Sequence, residues 1–189
     1  MSSRPAPRVA PLEPPYPIAT QEAFDAIMKG RAPLTLFRTV ARDERLLQRF
    51  LAGGLLDRGN LSLRQREIVI GRTTALCKSE YEWGVHMAIY GARAAFTESE
   101  RYSLVHGIAQ DACWTSPAER ALIDCCDALT AHCDIEDALW SQLGCFFSEQ
   151  ARLEVLMLAG QYRTVSYLTN ALALPLEDFA MRFPTKIPL

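Results

Sequence analysis

The amino-acid sequence predicts an all-helical fold preceded by a non-helical N-terminal arm. Three observations carry this. Beyond residue 19, apolar residues recur at spacings of three and four, the period of a helix face. Four segments open on the Ser/Thr-x-x-Glu/Gln pattern that satisfies the orphan N–H groups of a first helical turn. No segment alternates apolar and polar residues as a half-buried strand does.

Residues 1–19 hold six of the eleven prolines, at positions 5, 7, 11, 14, 15 and 17. Proline fixes φ and removes a backbone donor, so an extended arm is expected. Composition allows a disordered leader. It equally allows an arm laid across a neighbouring subunit and anchored by Leu12, Tyr16 and Ile18. Helices are then expected near 20–29 and 33–52. The next four are expected at 63–77, opened by Ser62 with Gln65; 80–95, by Ser79 with Glu82; 98–108, by Thr97 with Glu100; and 117–132, by Ser116 with Glu119. Pro117 stands at the favoured first position of the last of these. Helices near 135–143 and 149–173 complete the set, and the final one, apolar on most faces, is expected at the centre of the core.

The chain has 189 residues, 49% hydrophobic and 22% charged, enough apolar material for one globular domain over 20–189. A net charge of −2 and a pI near 5.9 give no electrostatic reason to expect nucleic acid or an anionic membrane surface as partner. No apolar run approaches the ~20 residues of a membrane span, and the first residues lack the apolar core of an export signal. A cytoplasmic location is therefore expected. The six cysteines (77, 113, 125, 126, 133 and 145) include no CxxC, the spacing of dithiol redox chemistry and many zinc sites, so reduced thiols are expected. Cys125, Cys126 and Cys133 lie on a helix as small buried residues. There is no Gly-rich phosphate loop and no GxSxG elbow, which removes support for nucleotide and serine-hydrolase chemistry.

Two helices carry charge on faces that are otherwise apolar. Leu63, Glu67, Ile70, Thr74 and Cys77 share one stripe, with Glu67 inside it. A carboxylate there must be paired, hydrogen-bonded or protonated, and Arg64 or Arg66 would suffice. On the following helix Glu82 and His86 are four apart, with Ile89 and Arg93 continuing the face. Such a pair orients an imidazole and raises its basicity, as proton transfer near neutral pH requires. The plainer reading is that Ser79 and Glu82 only cap the helix and His86 is structural. Both can hold, because a helix N-terminus also favours a substrate carboxylate or a developing enolate, with Tyr81 and Trp83 as apolar walls. Glu67, Glu82 and His86 also suit several divalent ions, but without a dedicated ligand spacing, so no metal is expected.

The phrases "LTLFRTVARDERLLQRFLAGGLL", "LSLRQREIVIGRTTALCKSEYEWGVHMAIYGARAAFTESE" and "LMLAGQYRTVSYLTNALALPLED" resemble the carboxymuconolactone decarboxylase and alkylhydroperoxidase D superfamily over most of residues 33–178. The resemblance implies a multi-helix alkylhydroperoxidase D-like bundle that forms homo-oligomers. In the peroxidase branch the site is a Glu, eleven residues, Cys-x-x-Cys, three residues and a His. Laid on this chain, Glu67 and His86 take the acid and imidazole positions, while Ser79 and Glu82 take those of the two cysteines. Serine and glutamate cannot form a redox disulfide, so the dithiol mechanism is excluded at these positions. Cys77, beside Lys78, is the remaining nearby thiol and carries an alternative, a one-cysteine oxidoreductase.

The decarboxylase branch needs neither CxxC nor cofactor, and none is expected here. Its chemistry asks for charge stabilisation and proton delivery. The resemblance implies a lyase, decarboxylase or isomerase acting on a small carboxylated or lactone-type molecule, with Glu67, Glu82 and His86 catalytic. Ser79 and Trp83 would line the substrate, and Arg72 or Arg163 would hold its carboxylate. A non-catalytic binding or scaffold protein is the further alternative.

Overall fold

The computed structural model describes residues 6–55 and 57–185, and among them every regular element is a helix. In chain order these are α1 (Ile18–Met28), α2 (Thr35–Val40), α3 (Glu44–Ala52), α4 (Leu63–Leu76), α5 (Glu80–Tyr90), α6 (Glu98–His106), α7 (Pro117–His132), α8 (Asp137–Gly144) and α9 (Glu149–Ala171). The helix expected over 33–52 is two helices. Its chain turns at residues 41–43, where the Asp43 carboxylate accepts from the Leu46 N–H at 3.0 Å and starts α3. The helix expected to reach 95 ends at Tyr90, because the chain turns through Ala95 at φ 56° and the Phe96 N–H returns to the Gly91 carbonyl.

The four capping patterns divide by where the acidic partner goes. Ser62 with Gln65 and Thr97 with Glu100 close reciprocal boxes. Ser79 and Ser116 accept from the N–H three residues on, but Glu119 turns to Arg64 and Glu82 turns to His86. At α5 the cap thus leaves a carboxylate for other work.

The centre of the core is α4. Residues Arg66 to Ala75 are buried without interruption, and α5, α6, α7 and α9 pack around them. The expectation that 149–173 is the central helix is corrected. Helix α9 buries Val155, Leu158, Tyr162 and Val165 but leaves Leu153, Met157 and Tyr167 about three-fifths exposed. Apolar composition alone could not separate the two helices. The small side chains of α4 (Gly71, Thr73, Thr74, Ala75) permit close approach on every side. At Gly71 an added Cβ would lie 2.9 Å from the Met87 side chain and 3.1 Å from that of Leu104.

The described part of the arm lies on its own chain. Arg8 bonds the carbonyls of Ala171 and Leu172, and Leu12 exchanges bonds with Arg38. Tyr16 meets Phe24 edge-on at 5.1 Å. Ile18 stands inside α1 and is 80% exposed.

After α9 the chain runs extended over α5. The Met181 N–H bonds the Gly84 carbonyl at 3.1 Å, Phe183 packs edge-on against Trp83 at 5.3 Å, and Glu80 holds Arg182 and the Phe183 N–H. A Cβ at position 84 would fall 2.2 Å from the Met181 carbonyl oxygen, so this crossing requires glycine. No helix among the described residues is long and apolar enough to cross a membrane.

Candidate active site

Helices α4, α5 and α9 bring four polar side chains together in the interior. Glu67 comes from the second turn of α4, Glu82 and His86 from one face of α5, and Tyr162 from the middle of α9. Glu67 Oε2 lies 2.8 Å from His86 Nδ1, and its Oε1 takes Arg66 at 3.1–3.2 Å. On the opposite edge of the ring, His86 Nε2 faces Glu82 Oε1 at 3.3 Å and the Tyr162 hydroxyl at 3.0 Å. The Tyr90 ring lies 5.3 Å from that of His86, and the Arg66 guanidinium stands over Tyr90 at 5.4 Å from its centroid. Exposures of 0% for Glu67, 3% for Tyr162, 4% for His86 and 6% for Glu82 make this a closed cluster.

Burial by itself would strip the proton from His86, but the charges and hydrogen bonds of Glu67 and Glu82 outweigh it, and the imidazolium is pushed up to about 9. Tyr162 is held well above its ordinary value by burial and by the same two carboxylates, so it remains a protonated phenol. The cluster therefore sets the acidic side chains of Glu67 and Glu82 against a His86 whose affinity for its proton is raised, with Arg66 beside Glu67. Glu82 Oε2 is buried and has no hydrogen-bond partner among the described residues.

The three residues expected to converge do so. They do not converge on one point in the manner of metal ligands, since Glu67 and Glu82 occupy opposite nitrogens of the same ring. Among the described residues no group of three His, Cys, Asp or Glu is arranged to hold an ion.

Ser79 is wholly buried, its hydroxyl 2.8 Å from that of Thr169. Trp83 is 1% exposed, packed under Phe183. Arg72 and Arg163 are not brought to the cluster. Arg72 makes a two-point bridge to Asp127 at 2.6 and 2.8 Å and also bonds the carbonyls of Ser103 and Leu104, which ties α4 to α7 and the end of α6. Arg163 lies along α9, bonded to Tyr167 and to the last carbonyls of α7. Cys77 ends α4, half-buried, while Cys125 is pushed up to about 11 by burial. All six thiols are free; Cys125 and Cys126 are buried on α7 as expected, whereas Cys133 is exposed, because it caps the end of α7 at φ 56° instead of lying within it.

Tyr162 was not singled out in the sequence. It is a buried tyrosine in an apolar helix, and only the packing of α9 against α5 brings its hydroxyl to His86. A cavity of about 320 Å³ lies where α5 begins and α9 ends, lined in part by Lys78, Tyr81, Thr169, Asn170 and Arg182 and by none of Glu67, Glu82, His86 or Tyr162. Thr169 forms the link between it and Ser79.

No family model matches the chain, and no curated protein matches it. Solved structures do. The debrominase Bmp8 superposes in its complex with 2,3,4-tribromopyrrole at a TM-score of 0.75 and 13% identity, and in its apo form at 0.74 and 14%. Both alignments span 90% of this chain and 92% of that one. An uncharacterized peroxidase-related protein from Silicibacter sp. TM1040 superposes at 0.77 and 20% identity, over 94% of this chain and 96% of the other. The chain shares the fold of these proteins. At such identities the likeness is one of architecture alone.

Proposed function

We propose that this protein is a cofactor-independent acid/base enzyme, a lyase, decarboxylase or isomerase acting on a small carboxylated or lactone-type molecule. The observation that carries the reading is His86 held between two carboxylates, one on each ring nitrogen. Glu67 fixes the orientation of the ring and stabilises its charge, and His86 supplies positive charge and protons on the side of Glu82. Burial excludes water, which strengthens each of these interactions and protects a carbanionic intermediate. Self-association is proposed on the resemblance, and the exposed apolar face of α9 supports it.

The experiment is a screen of purified protein against small lactones, keto acids and hydroperoxides, repeated with His86→Ala. Turnover of a lactone or keto acid that disappears in the folded variant supports the reading. Unchanged turnover in His86→Ala refutes it. The closure of the cluster favours a second role, a non-catalytic scaffold in which Glu67, His86 and Glu82 only hold three helices together. That role predicts no turnover in any arm and a large loss of stability in His86→Ala.

A further inference from the structure

Beside His86 Nε2 stand the Tyr162 hydroxyl and the carboxyl group of Glu82. With a carboxylate on each nitrogen, the ring carries both protons, so Nε2–H donates toward Glu82 Oε1 and the Tyr162 oxygen. The Tyr162 oxygen accepts, and its own hydrogen is left with no acceptor among the described residues. On the same side of the ring, Glu82 Oε2 is a buried acceptor with no donor among them. An idle buried donor and an idle buried acceptor are both unfavourable when unmet, and are expected where a ligand meets both.

We infer that Tyr162 is an oxyanion donor and Glu82 Oε2 the base of an enolisation, and that the substrate is a small carbonyl compound bearing an acidic C–H beside the carbonyl. This rests on the acid/base reading of the same site. In the step, Glu82 Oε2 takes the proton from carbon. The C–H electron pair becomes the new C=C bond, and the carbonyl π pair moves onto oxygen, where it is held by the Tyr162 O–H. Charge is conserved within the site, because Glu82 becomes neutral as the enolate forms, and the His86 imidazolium stands behind both. Return of the proton from Glu82 to the same carbon gives exchange, and its return to a conjugated carbon gives isomerisation. No oxidant, reductant or metal enters the balance. Tyr162 suits the donor role because its phenol stays protonated and its ring is packed edge-on against His86 at 5.0 Å, which fixes the position of the hydroxyl oxygen.

The test follows exchange of carbon-bound hydrogen for deuterium in D₂O by NMR, with pyruvate, levulinate and butyrolactone as probes. Wild-type protein is expected to accelerate exchange in at least one of them over buffer. Tyr162→Phe, which keeps the ring and the packing, is expected to slow it by about 100-fold or more through the rate at saturation rather than through KM. Glu82→Gln is expected to abolish it. Circular dichroism and melting confirm that each variant is folded. Exchange in Tyr162→Phe at the wild-type rate overturns the oxyanion assignment and leaves the acid/base reading standing. Exchange in wild type that survives in both Glu82→Gln and His86→Ala overturns that reading as well, as does a wild-type protein that accelerates none of the three.

Discussion

Replacing Glu67 by glutamine keeps the shape of the side chain and an acceptor for His86 Nδ1–H but removes one negative charge. The distance is 2.8 Å, and at an effective dielectric of about 20 a pair at that separation attracts by about 6 kcal/mol. The net effect on His86 is smaller, because burial works against the charged ring. The rise from 6.5 to about 9 corresponds to about 3 kcal/mol. Without Glu67, burial is opposed only by Glu82 at the longer distance of 3.3 Å, so the His86 midpoint is expected to fall to 6.5 or below. The assay is an NMR titration of the imidazole C–H signals. A wild-type His86 that titrates at 6.5 or below, or a Glu67→Gln variant whose His86 still titrates near 9, would refute this assignment.

Linkage gives the accompanying stability profile. The folded midpoint of His86 lies above the unfolded one, so its contribution is complete below pH 6.5 and is lost as pH rises through about 9. Denaturant unfolding is expected to lose about 3 kcal/mol across that window in wild type and much less in Glu67→Gln. Arg72→Met is expected to destabilise the fold by about 3–5 kcal/mol, since it strands Asp127 and two carbonyls, while leaving the His86 titration in place; chemical denaturation and the same NMR experiment check both halves. Gly84→Ala is expected to cost about 1–3 kcal/mol and to raise hydrogen exchange in residues 175–185, because its methyl group meets the Met181 carbonyl. Cys77→Ser is expected to leave peroxide consumption unchanged, and a rate that falls to background in a peroxidase assay would restore the thiol alternative.

The fold class was legible because helix signals are local. Capping residues such as Ser62 and Thr97, and the period of the apolar positions, depend only on near neighbours in the chain. The rank of helices within the core was not legible, because α9 and α4 differ in what packs on them rather than in composition, and an apolar face such as Leu153, Met157 and Tyr167 carries no local mark of exposure. Glu67, Glu82 and His86 could be found because a charge on an apolar stripe is conspicuous and the i, i+4 pair is short-range. Tyr162 and the true partners of Arg72 and Arg163 are long-range, and a tyrosine within an apolar helix gives no sign that its hydroxyl meets a histidine 76 residues away. The shared signature of cap and site at Ser79 also hid a detail. Glu82 does not complete the capping box, because its carboxylate is drawn to His86.

The claim that His86 works as a charged proton carrier between two carboxylates is tested most directly by the pH dependence of turnover, in wild type and in Glu67→Gln, on whichever carbonyl or lactone substrate the screen yields. A falling limb near pH 9 is expected in wild type, moving to 6.5 or below in the variant in step with the NMR midpoint of His86. A limb that is absent, or that stays in place while the His86 midpoint moves, would contradict it.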